Sequence, residues 1–110
     1  MSRLSYEKGQ RIEREIIARH REIDVHCERV PLSGAMKYKG GIDVDVYAFG
    51  RDAPPMVSEV KSRASGEGFR LIERWIGDAE MLFLRRDYAD PIVVLPWSTY
   101  TGLLDAIRRR

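Results

Sequence analysis

The chain reads as an α/β fold: a mixed central sheet flanked by helices, in the order helix, three strands, helix, strand, helix. Apolar residues recur at helical spacing near the amino end and again after residue 68. Between these stretches, runs over residues 23–63 alternate apolar with polar, and a short β-branched run follows the second helical stretch. A helix between the third and fourth strands demands a crossover connection, hence a sheet that is not purely antiparallel. With 110 residues, 44% hydrophobic and 33% charged, the composition suits one domain over residues 1–110 that has a real core and a heavily charged surface.

The first helix is expected over residues 5–20, with Ser5 as N-cap and Glu7 in the first turn. At ~100° per residue, Tyr6, Gly9, Ile12, Ile16, Ile17 and His20 share one face and Glu13 falls in its middle, while Arg14 and Glu15 point away. Ile23–Val30 alternates as a strand, placing Cys27 at a buried position. The stretch 31–41 is rich in Pro, Ser and Gly and reads as a loop. Strands follow over 42–49 and 56–63, joined by a turn at Gly50-Arg51-Asp52-Ala53-Pro54-Pro55. After Ser65-Gly66-Glu67-Gly68, the residues Phe69, Ile72, Ile76, Ala79 and Phe83 share a helical face, with a possible kink at Gly77 and with Trp75 bordering the face as a core or dimer contact. Ile92–Leu95, bracketed by Pro91 and Pro96, reads as a buried strand. Ser98 then caps a last helix carrying Leu103, Leu104 and Ile107.

Three short strings place charge where the core should be built. Strand side chains alternate faces, so Asp43 and Asp45 share one side, and Glu59 and Lys61 share one side. Paired as a hairpin, the two strands bring carboxylates and an ammonium together. Glu13, centred on an apolar helical stripe, is costly to bury unless it is paired, hydrogen-bonded or metal-bound. Each string alone fits the solvated face of an antiparallel sheet, and a salt bridge from Glu13 to Arg29 is the plain structural alternative. Taken together they look like a metal-dependent phosphodiesterase site. A single cysteine excludes an internal disulfide, and His20 and His26 with Cys27 match no zinc spacing.

Net charge is only +2 despite 19 Lys plus Arg, so bulk charge argues little for a polyanion partner. If acidic groups are gathered around a cation, however, the remaining surface is more basic than the total suggests. No long apolar run exists and residues 2–21 are dense in charge, so neither a membrane segment nor a signal peptide is expected. The expected location is cytoplasmic, intracellular and nucleoid-associated.

In sequence order, Lys8-Gly9 with Glu13-Arg14-Glu15, then Arg29 with Ser33-Gly34, then Asp45-Val46-Tyr47-Ala48, then Glu59-Val60-Lys61 resemble the PD-(D/E)XK nucleases, and within them the archaeal-type Holliday-junction resolvases. No proline precedes the candidate Asp, and Asp43 competes with Asp45 for the metal position. The sequence context around Asp45 favours it, with Asp43 as a second ligand or a replacement. The resemblance implies a restriction-endonuclease-like αβββαβ core with a C-terminal helix, and a homodimer that cuts branched DNA at four-way junctions. It further implies Mg²⁺ or Mn²⁺ held by Asp45, Glu59 and Asp43, with Glu13 and Lys61 completing the catalytic group. Arg14, Arg29, Ser33, Lys37, Lys39 and Arg63 would contact DNA phosphates. Two alternatives stay open: another nuclease of this superfamily, of phage or mobile-element type, acting on duplex, flap or end structures, or a catalytically idle DNA-binding module.

Overall fold

The structure, a computed structural model, describes residues 3–30 and 43–110, with side chains in the first helix from Gly9 onward. Among the described residues it is mixed α/β, with three helices and two small antiparallel sheets. Its contacts divide into two compact units, Met1–Ser62 and Arg63–Arg110.

The first unit opens with helix α1, Arg3–Glu22. It starts upstream of Ser5, which is therefore inside the helix and is not its cap. Ile17 and His20 are buried, Ile12, Glu13 and Ile16 are half-buried or partly exposed, and Arg14 and Glu15 face solvent, as the apolar periodicity requires. His20 Nδ1 lies 2.7 Å from the Ile16 carbonyl, which can only accept, so Nδ1 carries the proton. The helix stops at Asp24, whose φ of 60° is left-handed. Val25 N–H donates back to the His20 carbonyl and Asp24 N–H to the Arg21 carbonyl, the paired bonds of a Schellman stop. Ile23 and Asp24 thus serve the helix end, and the strand expected from Ile23 is only β1, Cys27–Arg29.

Strand β2 (Val44–Val46) pairs antiparallel with β1 and with β3 (Met56–Ser58) in the order β1-β2-β3. Cys27 lies opposite Val46, Glu28 opposite Asp45, and Arg29 opposite Val44; on the other side Asp45 lies opposite Val57 and Val44 opposite Ser58. Cys27, Val44 and Val46 are buried, Cys27 and Val44 completely. Arg29 shares their face and reaches α1 through Glu13, so the buried side is the helix side. Full burial of a side chain the size of Val44 contributes ~1.5–3 kcal/mol. The β2–β3 turn holds Gly50 at a φ of 104°, with Gly50 N–H on the Tyr47 carbonyl and Ala53 N–H on the Gly50 carbonyl. Only glycine takes that conformation without strain.

The second unit begins with α2, Phe69–Ile76, between Gly68 (φ 83°) and Gly77 (φ 49°). Gly77 ends the helix rather than kinking it, its N–H closing on the Glu73 carbonyl. Ala79 and Phe83 therefore do not continue a helical face. Leu82–Leu84 is strand β4, paired antiparallel with β5 (Ile92–Val94), Phe83 opposite Val93. The expected mixed sheet is not formed by these pairings: every strand pair among the described residues is antiparallel, and α2 is followed by a hairpin and not by one crossover strand. Ile92 and Val93 are 65% and 48% exposed, so β5 is no buried strand; a two-stranded ribbon covers little of itself. Helix α3, Trp97–Arg108, has Pro96 as its N-cap, which leaves Ser98 within the first turn. Leu104 is its buried residue and Leu103 is exposed. No helix among the described residues is long and apolar enough to cross a membrane.

Candidate active site

The β2–β3 hairpin carries three of the expected site residues at or near one end, the end away from Gly50. Asp43, just ahead of β2, is stitched to both neighbours: its N–H donates to the Ser58 carbonyl and its carbonyl accepts from Val30 N–H. Its Oδ2 accepts the Val60 N–H at 2.8 Å. That N–H belongs to the peptide joining Glu59 to Val60, so the Asp43 carboxylate sits against the Glu59-Val60-Lys61 segment. Glu59 and Lys61 lie beyond β3, which ends at Ser58, and not within a strand running to Arg63. Past the end of β3, the Val60 backbone donor is taken up by the Asp43 side-chain carboxylate and not by a strand carbonyl.

Lys61 Nζ is 3.3 Å from Glu59 Oε1, with the lysine side chain 69% exposed. An exposed pair of this kind contributes ~0–1 kcal/mol. Asp45 occupies the middle of the sheet, directly opposite Glu28 and Val57. Of the two aspartates, Asp43 is the one hydrogen-bonded to the Glu-x-Lys segment.

Glu13 goes elsewhere. Its Oε1 accepts Arg29 Nε at 2.8 Å, and its side chain is only 16% exposed. Arg29 lies opposite Val44 while the preceding residue, Glu28, lies opposite Asp45, so strand alternation sets Glu13 and Arg29 on the sheet face away from Asp45. Among the described residues, no three of His, Cys, Asp and Glu sit close enough to hold a metal ion together. The donors present are an oxygen pair, Asp43 and Glu59, with Asp45 further along the hairpin. Such a set fits Mg²⁺, which commonly keeps several waters and uses one or two carboxylates plus a substrate phosphate.

Around Asp45 the sheet gathers polar groups that the sequence pattern does not assign to a site. Tyr47 Oη donates to Glu28 Oε1 at 3.1 Å, His26 Nε2 is 3.4 Å from Glu28 Oε2, and the His26 and Tyr47 rings are 5.0 Å apart. Burial, then the hydrogen bond to Glu28 and the charges of Glu28 and Asp45, raise the Tyr47 phenol above its ordinary value. The strand alternation that separates His26 and Glu28 from Val25 and Cys27 is the signal that marks this polar face. On the helix face, burial pushes the Cys27 thiol up to about 11, with Arg21 opposing the shift. A thiol held neutral in this way is no nucleophile.

Arg14 is exposed on α1, and Arg63 is exposed at the start of the second unit. Ser33, Lys37 and Lys39 lie outside the described residues. No protein-family model, curated protein or solved structure matches this chain.

Proposed function

We propose that the chain is a metal-dependent DNA endonuclease resembling Holliday-junction resolvases, with a restriction-endonuclease-like core, acting as a homodimer on four-way junctions. The observation that carries the reading is the hydrogen bond from Val60 N–H to the Asp43 carboxylate, which joins an acidic residue to the Glu59-Val60-Lys61 segment. A polar strand face alone does not require that contact.

In this reading Asp43 and Glu59 hold Mg²⁺ or Mn²⁺, and Asp45 supports them from the adjoining position on β2. A divalent cation supplies charge stabilisation to a phosphate oxygen and lowers the pKa of water. Asp43 keeps Oδ1 for a ligand while Oδ2 stays on the Val60 N–H, which fixes the carboxylate's direction. Lys61, beside Glu59 and open to solvent, offers its ammonium to the charge that builds on phosphorus oxygens as water attacks and the P–O bond to the leaving sugar breaks. Arg14 and Arg29 contact backbone phosphates, which positions DNA without reading its sequence.

Cleavage of a labelled synthetic four-way junction and of a linear duplex, with Mg²⁺ and with EDTA, tests the reading. Junction cutting that needs Mg²⁺ and is abolished by Glu59→Ala or Lys61→Ala is expected. Preference for linear duplex would replace the resolvase with another nuclease of the same type. Salt-dependent binding with no cutting under any divalent metal would leave a DNA-binding module.

A further inference from the structure

The first unit carries an open groove of about 630 Å³ between α1 and β1, lined by Arg14, Ile17, Ala18, Arg21, Glu22 and Arg29. Arg14, Ala18 and Arg21 recur at four and three residues along α1 and so form one stripe. Arg29 enters from β1 on the face that meets the helix. Arg21 lines the same groove one turn on from Ile17. Three arginines therefore line one groove together with the apolar Ile17 and Ala18, and Glu22 is its one acidic lining residue among those described. Arg29 is held through its Nε by Glu13, which is largely buried.

We propose that Arg14, Arg21 and Arg29 form a phosphate-binding groove for a nucleic-acid strand on the α1 side of the sheet, and that Glu13 is the positioning residue that holds Arg29 in it. Guanidinium groups suit phosphate: each presents a planar fork of donors matched to its oxygens and stays charged at any physiological pH. The apolar floor accepts the less polar sugar edge of a strand, which a free phosphate ion lacks. Glu13 engages Arg29 at Nε, so the fork of Arg29 keeps its terminal nitrogens for a ligand. This assigns Arg21 to binding and gives Glu13 a role that needs no metal. It rests on the nuclease reading only in taking nucleic acid as the ligand.

Fluorescence anisotropy of a labelled oligonucleotide, single-stranded and duplex, in EDTA across about 50–200 mM salt isolates binding from cleavage. Arg21→Ala is expected to weaken binding several-fold and to lower the slope of log affinity against log salt by about one, the loss of one phosphate contact. Arg21→Gln, which keeps a long stem, is expected to do the same. Arg19→Ala, whose guanidinium is engaged by Glu15 at 3.2 Å, is expected to leave the slope unchanged. Glu13→Ala should lower the slope, and Glu13→Gln should restore most of it, because an amide oxygen still accepts from Arg29 Nε although, being neutral, it holds a hard cation less tightly than a carboxylate. A wild-type slope in Arg21→Ala would overturn the groove, and a wild-type slope in Glu13→Ala would overturn the positioning role. If millimolar inorganic phosphate displaces the oligonucleotide from wild type but not from Arg21→Ala, the groove takes small anions and the strand assignment fails. Arg21-dependent binding with no metal-dependent cutting would keep the groove and reject the nuclease.

Discussion

At the scale of single residues, the two aspartates of Asp43-Val44-Asp45 have different work. Asp43 is bonded to the Val60 N–H, and Asp45 faces Glu28 across the sheet. Like charges directly opposite destabilise a strand pair, so Asp45→Asn should raise stability in EDTA by ~0.2–1 kcal/mol, measured by urea unfolding. Asp43→Asn should instead destabilise modestly and cut Mg²⁺-dependent cleavage by at least ~100-fold, the size of effect seen when a charge-stabilising group is removed. Equal kinetic losses in both variants, with no gain in stability from Asp45→Asn, would contradict this division. Strand alternation in the sequence groups Asp43 with Asp45 and Glu59 with Lys61, but Glu59 and Lys61 lie beyond the end of β3, where that alternation does not apply. Which aspartate meets the Glu-x-Lys segment is not legible there, because that depends on the strand register and on where β3 ends. Glu13 is the opposite case. Its place on an apolar helical face is readable, and of the alternatives that place offers, the structure forms the salt bridge to Arg29, sixteen positions on.

At the scale of elements, two chain reversals of the first unit turn on residues with positive φ, Asp24 and Gly50. Asp24 ends α1 at a φ of 60°, where glycine is less strained; Asp24→Gly should stabilise by ~0.5–1 kcal/mol in denaturant unfolding. Gly50 is the reverse case at a φ of 104°, and Gly50→Ala should cost ~1 kcal/mol or more although nothing crowds the position. The helix face of α1 is legible from its period, since Ile17 and His20 are buried where the stripe predicts. The stretch from Phe69 to Phe83 reads as one helix because Ile72, Ile76, Ala79 and Phe83 keep a helical spacing by coincidence. Gly77 breaks that spacing, and Leu82-Phe83-Leu84 finds hydrogen-bond partners in Ile92-Val93-Val94. Short apolar runs carry no period long enough to separate a strand from a helix end. The same ambiguity makes β5 look buried when Ile92 and Val93 are exposed.

At the scale of the whole molecule, stability depends on pH through a buried thiol. Cys27 is fully buried and its pKa is raised from 9.0 to about 11, so the folded chain keeps its proton where the unfolded chain has lost it. Stability contributed by the neutral thiol is present below pH 9 and falls as pH rises through about 11. Cys27→Ala should flatten that fall in urea unfolding followed from below pH 9 to about pH 11, although the substitution itself lowers stability by leaving a cavity. The α/β class is legible because it follows from periodicity alone, which the order of elements along the chain preserves. How the strands pair is not, since pairing is a matter of contacts far apart in sequence. Charge placement outweighs net charge in the same way: a total of +2 hides a groove edged by Arg14, Arg21 and Arg29 and a hairpin end bearing Asp43 and Glu59. The most direct test of the central claim is the cleavage of a labelled four-way junction by wild type and by Lys61→Ala, each with Mg²⁺ and with EDTA. A metal-dependent nuclease built on Asp43, Glu59 and Lys61 cuts the junction only as wild type with Mg²⁺, while Lys61→Ala still binds it. Cutting by wild type in EDTA, or by Lys61→Ala at the wild-type rate, would contradict that claim.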